Sequence, residues 1–314
     1  MKKKLNKFQL TQLIRQAAQR IGFVDCGFSE VRSLTGHKQH YLDWIERGHQ
    51  AGMEYMTRNI DQRLNPALLM DGAKTVISLL YNYYTSEKLE GSPLQIAKYA
   101  FGEDYHNAIN EKLKQLDQFI GDLTDTVIQR SYVDTGPVLE KVWASNSGLG
   151  WIGKNSSLIS RRHGSFVFIA DIITSLELEY DKPLKDYCGS CRKCIEACPT
   201  SAIMDNRTID SRQCISYQTI ENRDDIPVTL KGKFHNYIFG CDICQDVCPW
   251  NKKSHSHTEA LFSLNPEIRH MTLSDWENLD EKTFQHFFHK SAVKRAKFEG
   301  LKRNIDFVTL KVKG

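Results

Sequence analysis

No stretch of this sequence approaches the roughly 20 apolar residues that span a bilayer, so no helical membrane anchor is expected. Behind the basic start Met1-Lys2-Lys3-Lys4 there is no apolar core segment and no small-residue cleavage site, so no signal peptide is expected either. Proline is scarce, 8 residues in 314, and there is no low-complexity run or repeated segment, which argues against a disordered or fibrous chain. Cysteine is almost missing outside one region: of nine, only Cys26 lies outside the span from Cys188 to Cys248. A disulfide-stapled secreted domain would spread its cysteines, whereas crowding of this kind in a cytoplasmic chain points to metal binding. Cys26 itself reads as a small buried hydrophobe. What remains is the composition of a cytoplasmic globular protein, 40% hydrophobic and 25% charged, long enough for about two domains.

Net charge is only +4, but its distribution is uneven. From His286 to Gly314 there are eight Lys and Arg against two acids, a larger surplus than that of the whole chain. Such a basic end suits nucleic-acid phosphates, and it also suits a solvated helix face.

Hydrophobic periodicity divides the chain into three parts, taken as domains over 1–180, 181–250 and 251–314. In the first, Phe8 to Gly22 carries Leu10, Leu13, Ile14, Ala17, Ala18 and Ile21 on one helical stripe. Lys74 to Tyr84 and Ser165 to Ile173 are β-branched and aromatic, hence buried strands, and Asp104 to Leu123 is a helix with Ile109, Leu113, Leu116, Phe119 and Ile120 on one face. The alternation predicts a layered α/β arrangement within an α+β protein. A cysteine-rich module follows, and then a short, mostly helical tail.

The cysteines carry the sharpest signal. The first motif is Cys188-x2-Cys191-x2-Cys194-x3-Cys198-Pro199; the second is Cys241-x2-Cys244-x3-Cys248-Pro249, with Cys214 upstream in place of a missing first ligand. A tight loop of short spacings supplies three thiolates to one cubane at low closure cost. In the bacterial ferredoxin arrangement the cysteine before proline then reaches the other cluster. One [4Fe–4S] cluster therefore takes Cys188, Cys191, Cys194 and Cys248, and the other Cys198, Cys214, Cys241 and Cys244. A zinc ribbon would need paired cysteines roughly 15–20 residues apart, and a radical-SAM site C-x3-C-x2-C; neither spacing is here.

Clusters carry electrons but seldom perform the final chemistry, so the first part must hold a substrate or a second cofactor. The run Gly148-x-Gly150-x-x-Gly153 follows a helical segment (Val138 to Ser147) where a dinucleotide fold would have a strand, and is read as a glycine turn for close backbone approach. Asp134, in Tyr132-Val133-Asp134-Thr135-Gly136-Pro137, is either the cap of the next helix or a carboxylate facing a cleft.

The segments YVDTGPVLEKVWASNSGLGWIGKNSSLI, GSFVFIADIIT, YCGSCRKCIEACPTSAI and CDICQDVCPWN, with AKYAFGEDYH and KRAKFEGLKRN, resemble the epoxyqueuosine reductase family over nearly the whole length. That family comprises cobalamin-dependent iron–sulfur reductases related to reductive dehalogenases; some members extend into a helical-repeat domain that is not found here. The resemblance implies that the first part binds cobalamin, that the clusters feed it electrons from a low-potential donor, and that the substrate is epoxyqueuosine at the wobble position of a tRNA. It implies Asp134 as proton donor, with a pKa raised by burial beside the corrin. Asp104-Tyr105-His106-Asn107-Ala108-Ile109 approaches the D-x-H-x-x-G motif for an axial histidine but lacks its glycine, so base-off cobalamin without a histidine ligand is expected. Asp134, Lys154, Asn155, Ser216, Cys241 and Asp242 are the expected cofactor contacts, and Lys294, Arg295, Lys297, Lys302 and Arg303 the expected clamp on tRNA phosphates. The chain is expected to act as a monomer. Two rival readings are a plain two-cluster electron carrier and a cobalamin-dependent reductase of small molecules.

Overall fold

The computed structural model describes residues 5–124 and 126–310; the basic Lys2 to Lys4, Lys311 and Lys313 lie outside the described residues. The first part contains α1 (Lys7–Ile21), β1 (Asp25–Glu30), α2 (Thr35–Glu46), α3 (Ile60–Leu64), β2 (Thr75–Asn82) and β3 (Gln95–Ile96). It continues with α4 (Tyr105–Leu123), β4 (Gln129–Tyr132), α5 (Glu140–Asn146), β5 (Trp151–Ile152), β6 (Leu158–Ile159) and β7 (Val167–Thr174). A capping box of Asn6 and Gln9 starts α1, and Gly22 at φ 114° stops it in the left-handed conformation.

Four strands form one sheet in the order β1-β2-β7-β4, with every neighbouring pair antiparallel. The all-antiparallel pairing makes the layered domain α+β. Because strand side chains alternate, Ile77, Leu79 and Tyr81 of β2 share one face with Phe168, Ala170 and Ile172 of β7. That face packs against the apolar stripes of α1 and α4. The opposite face carries Val76, Leu80, Val167 and Ile173, covered by Trp143 and Ala144 of α5. Fully burying each such aliphatic side chain is worth about 1.5–3 kcal/mol, which is what holds these short elements to the sheet.

The cysteine-rich part contributes α6 (Lys193–Ala197), α7 (Ile215–Ile220), β8 (Tyr237–Phe239) and α8 (Ile243–Asp246). The tail contributes α9 (Pro266–Arg269), α10 (Leu273–Glu277), α11 (Glu281–Phe288) and α12 (Lys297–Thr309). A second core draws on all three parts. Leu94, Ile96 and Phe101 pack with Ile238 and Phe239 and with Trp276, Phe284, Val293, Leu301 and Ile305 of the tail. The parallel pairing of β3 with β8 ties the same segments together. The composition boundaries near 180 and 250 thus cross a shared core. Among the described residues, no helix is long and apolar enough to cross a membrane.

Candidate functional site

The two cysteine motifs meet where α6 and α8 pack on each other. Burial pushes the Cys194 and Cys248 thiols up, with Cys188 and Cys248 adding to the first, and Cys188 and Cys191 to the second. Burial likewise pushes Cys244 up to about 12, with Cys214, Cys194 and Cys198 nearby, while Cys241 is raised further beside Cys244 and Cys214. Cys248 of the second motif thus neighbours Cys188 and Cys191 of the first, and Cys198 of the first neighbours Cys214 and Cys244. Backbone N–H groups point at the sulfurs: those of Ser216 and Tyr217 at Cys214, Ile243 at Cys241, and Trp250 and Asn251 at Cys248. Trp151 Nε1 lies 3.4 Å from Cys188 Sγ. Donors aimed at sulfur favour thiolate over thiol, which is what cluster ligation requires.

Lys154 and Asn155 act on these cysteine loops. Lys154 Nζ donates to the carbonyls of Gly189 at 2.7 Å and Cys191 at 2.9 Å, strapping the first loop. Asn155 is buried beside Cys244, with Nδ2 at 3.5 Å from its carbonyl. The Asp242 carboxylate is buried against Lys98, accepting from its N–H at 2.8 Å; burial raises its pKa to about 6, although Lys98 pulls it down. The glycine turn is the close approach its composition suggested. A Cβ on Gly150 would stand 2.4 Å from the Ile159 carbonyl, and one on Gly148 2.8 Å from that of Lys182.

Asp134 follows β4 at φ 57°, with the N–H of Thr135 donating back to Val133 at 2.6 Å. Such a conformation costs a non-glycine residue of order 1–3 kcal/mol. Glu140 helps to hold it by accepting the Asp134 N–H at 2.6 Å. The helix-cap reading is overturned: α5 is preceded by Leu139 without a side-chain cap, and the Asp134 carboxylate turns the other way. Tyr105 donates its hydroxyl to Asp134 Oδ2 at 2.8 Å, and His106 Nε2 stands 3.5 Å from the same oxygen, long for a hydrogen bond but close enough for an ion pair. His106 Nδ1 lies 2.7 Å from Asp104 Oδ1. Tyr105 is itself clamped, with its ring stacked on Phe168 and on His106.

The electrostatics of this group differ from the sequence expectation. Burial alone would raise Asp134, but His106 and Tyr105 outweigh it and hold the carboxyl below its ordinary value. Burial would lower His106, yet the Asp104 and Asp134 carboxylates raise it to about 9. At neutral pH the proton is on the imidazole. Glu140 is raised well above the usual range by burial, then by Asp171 and Asp134. Asp171, whose Oδ1 accepts from Ser78 at 2.5 Å in the sheet interior, is raised by burial to about 7. Lys141 is lowered by burial, although Asp134 and Glu140 favour its charge; the Cys214 and Cys244 thiols act on it from the other side. The Asp134 side chain is 61% accessible and Lys141 is exposed, although atoms surround both closely.

The tail departs from the expected clamp. Arg303 donates to the carbonyls of Gln218 at 2.9 Å, Asn222 at 2.9 Å and Asp224 at 2.5 Å, fastening α12 to the cysteine module. Lys302 turns to the Glu277 carbonyl and Asp306. Arg295 is bidentate to Glu221, and Lys294 pairs with Asp104 at 3.2 Å. Of the five, Lys297 alone is exposed without an ion pair among the described residues. Sequence reasoning missed Tyr105, His106, Glu140 and Lys141. The Asp104-Tyr105-His106 run was visible, but only as a helix start, and the cap it forms is real: Asp104 accepts from the His106 N–H at 3.1 Å.

Residues 187–251 match the 4Fe-4S double cluster binding domain, and residues 63–135 match the family described as epoxyqueuosine reductase QueG, DUF1730. An epoxyqueuosine reductase of Cellulophaga algicola is 48% identical, over 95% of this chain and 97% of that protein. An epoxyqueuosine reductase solved with an epoxyqueuosine-modified tRNA-Tyr stem loop superposes with a TM-score of 0.89 at 28% identity, over 96% of this chain and 81% of the other. A Bacillus subtilis epoxyqueuosine reductase, solved with its aspartate catalytic loop swung out of the active site, gives 0.88 at 27% identity, over 96% and 81%. The double-cluster match carries the assignment of two iron–sulfur clusters to the eight-cysteine module.

Proposed function

The chain belongs to the epoxyqueuosine reductase family and is an oxidoreductase, and on that premise we propose that it converts epoxyqueuosine to queuosine at the wobble position of a tRNA, with Asp134 as proton donor. The observation that carries the proposal is the strained Asp134 turn, held by Glu140 and facing Tyr105 and His106.

Removal of an epoxide oxygen as water consumes two electrons and two protons. The space from Asp134 past Lys141 toward Cys214 and Cys244, whose charges all act on Lys141, would be the recess for a second redox cofactor. Cobalamin bound there would supply the strongly reducing centre the epoxide carbon requires. Asp134 and Lys141 border that space, with Ser216 and Cys241 on the cluster side; Lys154, Asn155 and Asp242 would serve it only through the cysteine loops they hold. His106 would not serve such a group as a metal ligand, because an imidazole kept protonated and bound to Asp104 offers no lone pair.

The protein's own part is proton handling. At rest the proton sits on His106, whose Nδ1 is held by Asp104 Oδ1 at 2.7 Å while its Nε2 stands 3.5 Å from Asp134 Oδ2. When substrate displaces water from the recess, desolvation raises the proton affinity of Asp134, which takes the proton and delivers it to the departing oxygen. Tyr105 keeps Oδ2 aimed throughout. The RNA would approach along the face carrying Lys297, Lys294 and Arg295, since Lys294 is tied through Asp104 to the same histidine. A cytoplasmic monomer suffices for this chemistry, given a low-potential electron donor.

The test is anaerobic turnover of an epoxyqueuosine stem loop by protein loaded with clusters and cobalamin, read by mass spectrometry of the nucleoside. Asp134→Asn should keep the cluster and corrinoid absorption bands and lose roughly 10²- to 10⁴-fold in rate. Undiminished turnover in that variant would remove Asp134 from the reaction.

A further inference from the structure

The two thiol groups differ in their surroundings. Cys188 and Cys191 flank the exposed Gly189 and Ser190, whereas Cys214 and Cys244 act on Lys141 together with Asp134. Electrons that finish beside Asp134 would enter at the first group, here the outer one.

The surface over the outer group has a distinct make-up. Trp151, buried against Cys188, packs edge-on against Trp250 with ring centroids 4.9 Å apart and against Tyr187 at 5.2 Å. Tyr187 is 41% exposed, so this aromatic cluster reaches the surface. Arg161 lies over the Tyr187 ring at 5.7 Å. Arg161 and Arg162 are the tip of the hairpin after β6, and together with Lys182 they line an adjoining recess of about 640 Å³. Lys252 and Lys253 join them, because Ser254 Oγ donates to the His163 carbonyl at 3.2 Å and Asn251 accepts from the Ser165 N–H at 2.6 Å. The nearby acids are already engaged: Asp181 by Arg15, Asp186 by Arg207 and Asp205 by Arg192. Only Asp25 remains in the recess as a counter-charge. The five cations are exposed and make no ion pair among the described residues.

We propose that this face, an aromatic centre ringed by Arg161, Arg162, Lys182, Lys252 and Lys253, is the docking site of an acidic one-electron carrier protein. The inference rests on the proposed reductase function and names its donor class. A transient redox encounter needs a small interface and strong electrostatic steering, which an unpaired basic ring supplies. RNA is disfavoured as occupant, because its reacting base must reach Asp134 and the basic residues tied to Asp134 are Lys294 and its neighbours. Each encounter oxidises the carrier by one electron; two encounters and two protons remove one epoxide oxygen as water.

The probe is an acidic bacterial ferredoxin, and the variant is Arg161→Glu combined with Lys252→Glu in the cluster- and cobalamin-loaded protein. Calorimetric titration at low salt should show oxidised ferredoxin binding weakened about tenfold or more, with a flatter salt dependence. Turnover driven by reduced ferredoxin should fall alike, while turnover driven by reduced methyl viologen and stem-loop affinity stay unchanged. Unaltered ferredoxin affinity overturns the proposal, and so does a parallel loss of stem-loop affinity, which would assign the face to RNA. Should the wild type convert no substrate with viologen, the reductase reading fails instead, and the ferredoxin titration still reports on docking.

Discussion

The proton on His106 can be followed directly. Its pKa of about 9, against an ordinary 6.5, corresponds to about 3 kcal/mol favouring the imidazolium. Because the side chain is only 27% exposed, solvent screening reduces this modestly. Folding raises the pKa, so the contribution to stability is fully present below about pH 6.5 and is lost as pH rises through about 9. Two carboxylates share the effect, Asp104 at 2.7 Å and Asp134 at 3.5 Å. Asp134→Asn should lower the His106 titration midpoint by about one pH unit, and Asp104→Asn by more, since the shorter contact is then lost. Ring-labelled histidine NMR between pH 5 and 10 measures this, with His106→Gln identifying the resonance among the 11 histidines. Turnover should show the same group as an alkaline limb near 9 that moves to lower pH in Asp104→Asn. A midpoint between 6 and 7 in the unaltered protein, or one insensitive to Asp134→Asn, would refute the proton reserve.

Two other substitutions separate roles that look alike in the sequence. If the cysteine sets are crossed, Cys188→Ser and Cys248→Ser should alter the same electron paramagnetic resonance signal, and Cys198→Ser and Cys214→Ser the other; grouping by motif would sink the crossing. Arg303→Ala should lower unfolding stability by about 2–3 kcal/mol through loss of charge-assisted bonds to three carbonyls, with the salt slope of RNA binding unchanged. Lys297→Ala should leave stability alone and reduce that slope by about one; the reverse pattern would restore Arg303 to the RNA face.

The elements that could be read from sequence are those whose information is local. The stripes of α1 and α4 repeat at helical spacing, and Leu10, Ile14, Ile109, Leu113 and Leu116 are buried in one core. The cysteine motifs were equally legible, because ligating one small object forces short spacings. The rest depends on contacts across long separations. The pairing of β3 with β8 involves two residues on one side and joins positions more than a hundred apart, too short to leave a periodic pattern. His106 meets Asp134 only because α4 and β4 lie side by side, so a run read as a helix start also faces the candidate site. The internal partners of the tail were not legible for a different reason. Charge counts treat every Lys and Arg as outward-facing, whereas Arg303 spends its donors on carbonyls and Lys294 on Asp104.

In the proposed mechanism, charge balance explains why the proton waits on His106 and not on Asp134. A cluster beside the recess gains negative charge with each electron, and an enclosed negative charge is expensive unless a cation stands close. Lys141 fills that place, since its ammonium lowers both the Asp134 carboxyl and the Cys214 thiol. The cation that eases electron arrival also keeps Asp134 ionised, and His106 does the same from the other side. Asp134 therefore cannot be a stored acid in the open site. It becomes one only when bound substrate excludes water and the nearest proton, on His106, has somewhere to go. In that proposal reduction and protonation are tied to the same event, and an electron arriving before substrate would meet no acid poised beside it.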